Sequence, residues 1–172
     1  MVKILVIGSG AREHAIIKSL NKSKKEKEIY CLATNNNPGI SDICKEMKII
    51  DINDAQLIKD YSIKQSINIA IIGPENPLAY GVADSLWDAG IGVIGPKKNL
   101  AQIETSKSFT RNLLKEYKIP GCPKFKTFTN MEGVENFLFL LGENYVVKYD
   151  GLAGGKGVKV AGDHLHSHEE AL

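Results

Sequence analysis

The chain has 172 residues, 43% of them hydrophobic, and carries 22 basic against 20 acidic side chains. This composition suits a packed core, and the near balance of charge argues against a nucleic-acid partner or an acidic membrane surface. Three widely spaced cysteines without a C-x-x-C pair indicate reduced thiols. Because no signal peptide or membrane-spanning run is evident, we expect a cytoplasmic protein with no membrane partner.

The first predicted elements are a strand at residues 3–7, a turn with two glycines and a helix with one apolar side. This order is typical of a Rossmann-like unit, in which the turn and the first N–H groups of the helix form an anion site. Gly8 and Gly10 supply the turn, and Arg12 adds a charged, forked donor beside it.

Two features argue against a nicotinamide dinucleotide as the ligand of this turn. Glu13 stands where the G-x-G-x-x-G fingerprint has its third glycine. The second predicted strand, at residues 29–34, ends without the carboxylate that would bind ribose hydroxyls. A monophosphate therefore fits the turn better than a dinucleotide.

Three further strands are predicted at residues 47–50, 67–72 and 92–94, and the apolar 67–72 run is typical of the interior of a parallel sheet. Two helices are predicted between them, one capped by Asp54 and one at residues 78–89. Their expected inward residues are Leu57, Ile58, Tyr61 and Ile63, then Leu78, Val82 and Leu86. The pattern predicts an α/β domain over residues 1–100.

The sequence G-P-E-N-P at residues 73–77 follows the 67–72 strand, at the sheet edge where open α/β sheets bind ligands. Two prolines stiffen this turn, and it exposes Glu75 and Asn76 to a polar substrate. An ordinary turn with a solvated acid is the alternative.

The second part of the chain, after residue 100, has a different pattern of predicted elements. Ser106 is expected to cap a helix that runs to Tyr117. Lys107 lies in its first turn, where the helix dipole disfavours a cation, so either the side chain is solvated or an anionic partner lies nearby. Residues 125–128 are predicted as a strand, and Thr129 with Glu132 as a capping box for a helix to Leu141. The residues expected to be buried in the first helix are Phe109, Leu113 and Leu114.

Residues 145–160 read as a hairpin of two short strands joined by a glycine-rich loop with two lysines. The loop lacks the glycine and hydroxyl positions of a Walker A motif. Its glycines, Gly151, Gly154, Gly155 and Gly157, can turn N–H groups toward an anion, and Lys148 and Lys156 add positive charge. We interpret it as a flap that closes over ATP; an ordinary flexible hairpin tip is the alternative.

The last residues give weaker signals. Ser167 and Glu170 form a capping box before a helix start. His164, His166 and His168 alternate as zinc ligands on a strand would, but no cysteine or fourth ligand accompanies them. A polar turn between a strand and a helix is the favoured interpretation.

Four segments together resemble one family. They are K-I-L-V-I-G-S-G-A-R-E-H-A, I-I-G-P-E-N-P-L-A-Y-G, S-K-S-F-T-R and V-V-K-Y-D-G-L-A-G-G-K-G-V. In this order they resemble the phosphoribosylamine–glycine ligase family of ATP-grasp enzymes. Two positions depart from the usual pattern of that family: Ile40 stands where Asn is usual, and Tyr149 stands where a small residue is usual. The resemblance implies a Rossmann-like parallel-sheet domain at 1–100 and the beginning of an ATP-grasp domain at 101–172.

The resemblance also implies a reaction and its residues. ATP would phosphorylate glycine, and the amine of 5-phosphoribosylamine would attack the acyl phosphate in purine biosynthesis. Lys107, Lys148, Gly154, Gly155, Lys156 and Gly157 would bind ATP, and Gly8, Gly10, Arg12, Glu13, His14, Glu75 and Asn76 would bind the aminosugar substrate.

Family members are more than twice this length, so the catalytic residues and the Mg²⁺ ligands are expected outside these residues. The isolated chain is therefore expected to be inactive. The alternative is a non-catalytic module that binds sugar phosphate or nucleotide, and a third possibility, a nicotinamide oxidoreductase, would require NAD binding despite Glu13.

Overall fold

Five parallel strands form one sheet in the first part of the computed structural model, which describes residues 1–172. The strands are β1 (Val2–Ile7), β2 (Lys27–Ala33), β3 (Glu46–Ile49), β4 (Ile69–Ile72) and β5 (Gly92–Ile94). Their order across the sheet is β3-β2-β1-β4-β5, and every adjacent pair is parallel. This order confirms the predicted Rossmann-like sheet.

Helices connect these strands, as a parallel sheet requires. They are α1 (Ala11–Asn21), α2 (Pro38–Ser41), α3 (Ala55–Gln65), α4 (Glu75–Ala79), α5 (Val82–Asp88) and, after β5, α6 (Lys98–Thr105). The sequence reading did not include α2 or α6. None of the helices in the structure is long and apolar enough to cross a membrane.

The central strand β1 alternates its side chains between two cores, as a strand covered on both faces does. Leu5 and Ile7 belong to one buried cluster, whereas Val6 belongs to another. The first cluster includes Ile58 of α3 and Leu86 of α5. Both faces of the sheet are therefore covered by buried side chains.

Two predictions for these helices are wrong. The expected helix at 78–89 is two helices, because Gly81 between them adopts a left-handed φ of 80°, although Leu78 and Val82 are buried as predicted. In α3, Leu57 and Ile63 are 43% and 54% exposed. A buried Ser62 takes their place on the inner side, since its hydroxyl donates to the carbonyl of Ile58 at 2.7 Å.

The chain divides into two compact units, Met1–Gln102 and Ile103–Leu172. The second contains α7 (Lys107–Glu116), α8 (Val134–Leu141), β6 (Val146–Lys148), β7 (Val158–Val160) and a 3₁₀ turn, Glu169–Ala171. Strands β6 and β7 form the predicted antiparallel hairpin, with Val147 opposite Lys159. The buried core of this unit is small and consists of Leu138, Tyr145 and Leu165.

Several predictions for this unit need correction. Residues 125–128 are not a strand, and they have no strand partner. Helix α8 follows Gly133, so Thr129 and Glu132 do not form its capping box. Ser106 caps α7 as predicted. The residues expected to be buried in α7 are only half-buried: Phe109, Leu113 and Leu114.

The C-terminal residues also differ from the sequence reading. Ser167 accepts from the N–H of Glu170 at 3.2 Å, but the Glu170 carboxylate accepts from the N–H of His166, so the box is incomplete. His168 packs its ring edge-on against two aromatic rings. Residues 1–172 contain no group of three or more His, Cys, Asp or Glu that could hold a metal ion, so His164, His166 and His168 are not gathered as zinc ligands in this structure.

Candidate functional site

In the first unit, loops at the carboxyl ends of β1, β2 and β4 are tied together by hydrogen bonds. The Asn37 amide after β2 donates to the carbonyl of Ser9 after β1 at 2.9 Å. Arg12 at the start of α1 donates from Nη1 to the carbonyl of Gly73 after β4 at 2.6 Å. These bonds gather the predicted substrate residues at one edge of the sheet, as the sequence pattern indicated.

Glu13 lies under this edge as a buried carboxylate. Its side chain is only 5% exposed, and Oε2 accepts from the N–H of Gly10 at 2.7 Å. A Cβ added at Gly8 would lie 2.8 Å from the Glu13 side chain, and one added at Gly73 would lie 2.1 Å from Oε1. Glu13 thus occupies the space that these glycines leave, and the N–H of Gly10 is already paired.

Arg12 and Glu75 form the exposed part of the same edge. Arg12 Nη1 lies 4.0 Å from Glu75 Oε2, and the two side chains are 65% and 37% exposed. Because a guanidinium has five N–H donors, Arg12 keeps donors for a ligand after bonding Gly73. Asn76 beside Glu75 is exposed. These three side chains can therefore contact a polar anionic molecule.

His14 is held by a close approach of the α2 backbone. A Cβ added at Gly39 would lie 2.4 Å from Cε1 of His14, so the glycine lets the backbone pack against the imidazole ring. The neighbouring Ile40 is fully buried in the core. His14 is half-buried and fixed at the start of α1, behind the Gly8–Gly10 turn.

In the second unit, a cavity of about 830 Å³ is lined by two of the three lysines predicted to bind ATP, Lys107 and Lys148, but not by Lys156. The cavity has mixed walls, with apolar side chains that include Phe125 and Phe137. Three further cations line it that the sequence reading did not include: Arg111, Lys124 and Lys126. The sequence signal that could have indicated Lys124 and Lys126 is their K-x-K spacing around Phe125. Cations beside aromatic and apolar walls suit a ligand with a ring and an anionic tail.

The glycine-rich loop is not part of the cavity lining. Gly154 and Gly155 have left-handed φ values of 54° and 78°, and Lys156 is exposed. Space around Gly154 and Gly155 is open to 4 Å, whereas a Cβ at Gly157 would meet Ala153 at 2.7 Å. The loop tip is therefore lightly packed, which is compatible with movement.

Asp150, just after β6, was not among the predicted site residues. Its carboxylate accepts hydrogen bonds from the backbone N–H groups of Lys107 and Ser108, at 2.7 and 3.2 Å, and from both neighbouring hydroxyls, Ser106 and Ser108. Burial alone would raise the pKa of Asp150, but the hydrogen bonds from Ser108, Lys107 and Ser106 outweigh it, so the pKa lies below its usual value.

Asp150 is an anionic group beside Lys107 in the first turn of α7, where the sequence left open whether such a partner exists. The acid that the helix dipole favours at the first turn of α7 comes from a residue 43 positions away. The Lys107 ammonium donates to the carbonyl of Gly151 at 2.6 Å. Lys107 is therefore held at both its backbone and its side chain.

The described residues do not fit a Mg²⁺ site. No cluster of carboxylates is available for one, and the Asp150 carboxylate is already surrounded by N–H and O–H donors.

Two family models match the chain. One, described as phosphoribosylglycinamide synthetase, N domain, matches residues 2–104, and another, the ATP-grasp (A) domain of the same synthetase, matches residues 105–172.

Curated relatives include phosphoribosylamine–glycine ligases from Methanosarcina barkeri, 46% identical over 95% of this chain, and Methanocaldococcus jannaschii, 47% identical over 99%. The chain spans 38% and 39% of the lengths of these relatives.

Solved structures give the fold. N5-carboxyaminoimidazole synthetase from Staphylococcus aureus, solved as a complex with ADP, matches 93% of this chain and 41% of its own with a TM-score of 0.73 and 16% sequence identity. At this low identity, the likeness shows a shared fold.

Proposed function

The chain belongs to the phosphoribosylglycinamide synthetase family, and from this membership we propose that it is a segment of a phosphoribosylamine–glycine ligase. The complete enzyme would join glycine to 5-phosphoribosylamine, with ATP supplying the energy through a glycyl phosphate. We further propose that residues 1–100 bind the aminosugar and that residues 101–172 begin the ATP-grasp domain.

The observation that carries the ATP assignment is the cavity shared by Lys107 and Lys148. Two ammonium groups can hold a polyphosphate as point charges, and the aromatic and apolar part of the wall can receive a flat ring. Lys107 is held in place by Asp150 and Gly151, whereas Lys148 is exposed at the end of β6. Lys107 would therefore act as a fixed donor and Lys148 as an adaptable one.

The glycine-rich loop would act on the transferring group. Gly154, Gly155, Lys156 and Gly157 belong to a lightly packed tip that joins the two hairpin strands. Closure of such a tip excludes water from a reactive acyl phosphate and brings the Lys156 charge to the phosphoryl oxygens. The magnesium ion that accompanies ATP in such enzymes would take its ligands from outside the described residues.

The aminosugar phosphate would bind in the first unit, at the carboxyl ends of β1 and β4. The N–H groups of Gly8 and Gly10 are already bonded to Leu32 and Glu13, so the first N–H groups of α1 would be the donors to the phosphate, and Arg12 would add positive charge. Glu75 and Asn76 would contact the ribose hydroxyls or the amine. Glu13 and His14 support this surface from below, through Gly10 and Gly39.

A pair of lysine variants in the full-length protein tests the two ATP assignments separately. Lys148→Met should lower the apparent affinity for ATP at least about tenfold, because it removes a charged hydrogen bond to phosphate. Lys156→Met should lower kcat with a smaller change in the KM for ATP, because the flap acts on the transferring group. Equal losses of ATP affinity in both variants would contradict the flap assignment.

A non-catalytic binding module is the second candidate, because the cavity and its five cationic side chains lie within the second unit. Calorimetric titration of the 172-residue chain with ADP, and phosphate release with glycine, phosphoribosylamine, ATP and Mg²⁺, separate the two. We expect no turnover from the isolated chain; turnover would refute that expectation. Thermal-shift screening with NAD against ATP tests the oxidoreductase alternative.

A further inference from the structure

We infer that Asp150 is a positioning residue for ATP: it clamps the first turn of α7 to the end of β6 and thereby sets Lys107 and Lys148 on one cavity. The inference rests on the proposed ATP site. Asp150 follows Lys148 by two residues, so any group that fixes Asp150 also limits where Lys148 can reach.

The clamp consists of several bonds to one carboxylate. Oδ1 accepts from the N–H of Lys107 at 2.7 Å and from the N–H of Ser108 at 3.2 Å. The hydroxyl of Ser106, which also caps α7, lies 3.3 Å from both carboxylate oxygens, and the hydroxyl of Ser108 donates to Oδ2. Four donor groups thus converge on Asp150.

The next residue completes the clamp. The carbonyl of Gly151 accepts from the Lys107 ammonium at 2.6 Å, and Gly151 has a left-handed φ of 112° that other residues rarely adopt. Lys107 is therefore fixed by two consecutive residues, one holding its backbone and the other its side chain. A fixed ammonium costs less ordering entropy when phosphate binds.

Charge supports the same role. Five cationic side chains line the cavity, and Asp150 is the one acidic residue among its lining. In the absence of ligand, like charges that line one cavity repel one another, and a carboxylate among them offsets part of the repulsion. Both carboxylate oxygens of Asp150 already accept hydrogen bonds from α7 or its cap.

The test uses full-length protein with Asp150→Asn, which keeps the side-chain size but loses the charge and one acceptor. Asp163→Asn, an exposed acid in the same unit, is the matched control. We expect Asp150→Asn to raise the KM for ATP about tenfold while the KM for glycine changes less than about twofold. The control should leave both constants within about twofold of the unaltered protein.

A double-mutant cycle shows whether Asp150 acts through Lys107. In a Lys107→Met background, Asp150→Asn should raise the KM for ATP by clearly less than about tenfold, because one of the two lysines that it positions is gone. Full additivity of the two changes, or an equal rise in the KM values for ATP and glycine, would overturn the inference.

Hydrogen exchange measures the clamp without turnover. The amides of Lys107 and Ser108 should exchange faster in Asp150→Asn and in the milder Ser108→Ala, which serves if Asp150→Asn does not fold. Unchanged exchange in Ser108→Ala and in any folded Asp150→Asn protein would also overturn the inference. If the unaltered full-length protein fails to consume ATP with glycine, the proposed function fails. The hydrogen-exchange result still tests whether Asp150 holds the first turn of α7, because it does not depend on activity.

Discussion

Replacing Gly73 by alanine tests the most constrained contact in the first unit. Gly73 has no left-handed φ, so alanine can adopt its backbone conformation. The new Cβ would nevertheless lie 2.1 Å from Oε1 and 2.5 Å from Cδ of Glu13. Glu13 is 5% exposed and bonded to Gly10, so it can yield only by breaking that bond or displacing its neighbours.

The structure sets the size of the effect. Overpacking of a buried site costs about 1–3 kcal/mol. Losing a hydrogen bond to a charged group costs about 1.5–3 kcal/mol. If Glu13 moves away, the overpacking is relieved but its hydrogen bond with Gly10 is lost, so the two energies do not add in full. We therefore expect Gly73→Ala to lower the free energy of unfolding by about 2–4 kcal/mol. For a domain of this size, each kcal/mol lowers Tm by about 4–8 °C.

Gly92→Ala provides the control, because its added Cβ would come no closer than 3.6 Å to any atom and its φ is not left-handed. Thermal unfolding followed by circular dichroism should show a large loss of Tm for Gly73→Ala and a small one for Gly92→Ala. Glu13→Ala should remove most of the penalty of Gly73→Ala in the double variant. Equal losses in the two single variants would refute the contact between Gly73 and Glu13.

Two further predictions concern ionisation. The pKa of Asp150 in the folded chain lies below the ordinary value of 3.8, so the ionised carboxylate contributes stability above that pH and loses it as the pH falls through the folded pKa. The difference in unfolding free energy between the unaltered chain and Asp150→Asn should therefore shrink below pH 3.8, and a difference that grows on acidification would contradict the hydrogen-bond pattern. Burial raises the pKa of the Cys31 thiol to about 12 and that of Cys44 to about 11. A thiol-specific reagent at pH near 8 should modify Cys122 before either of them, as mass spectrometry of the labelled peptides would show; equally rapid labelling of Cys31 would indicate that the core opens.

Much of the first unit could be predicted from local patterns. The apolar runs ending in glycine or asparagine turns located all five strands, since strands of a covered parallel sheet are nearly continuous in hydrophobicity. The break at Gly81 was not predictable from the apolar spacing, because Leu78, Val82 and Leu86 are buried in one cluster on both sides of it. Burial of Ser62 could not be predicted from the sequence either, because its hydroxyl donates to the backbone carbonyl of Ile58 and no partner side chain signals it.

The second unit was harder to predict because its packing depends on distant residues. The apolar residues at 125–128 suggested a strand, yet Phe125 and Phe128 line a cavity. Lys107 and Lys148 were predicted to bind ATP from their motifs, whereas the contact of Asp150 with α7 spans 43 positions of sequence and could not be predicted. Glu13 was predicted to bind the substrate, and its burial could not be predicted, because its neighbours Gly8 and Gly73 come together only in the folded sheet.

The most direct measurement of the proposed function is ADP formation by the full-length protein with ATP and Mg²⁺, with glycine and phosphoribosylamine each present or omitted. We predict ADP and glycinamide ribonucleotide in equal amounts when both substrates are present, and loss of product formation in Lys148→Met. A protein that forms no ADP with the complete mixture, or forms it at the same rate without glycine, would contradict the proposal.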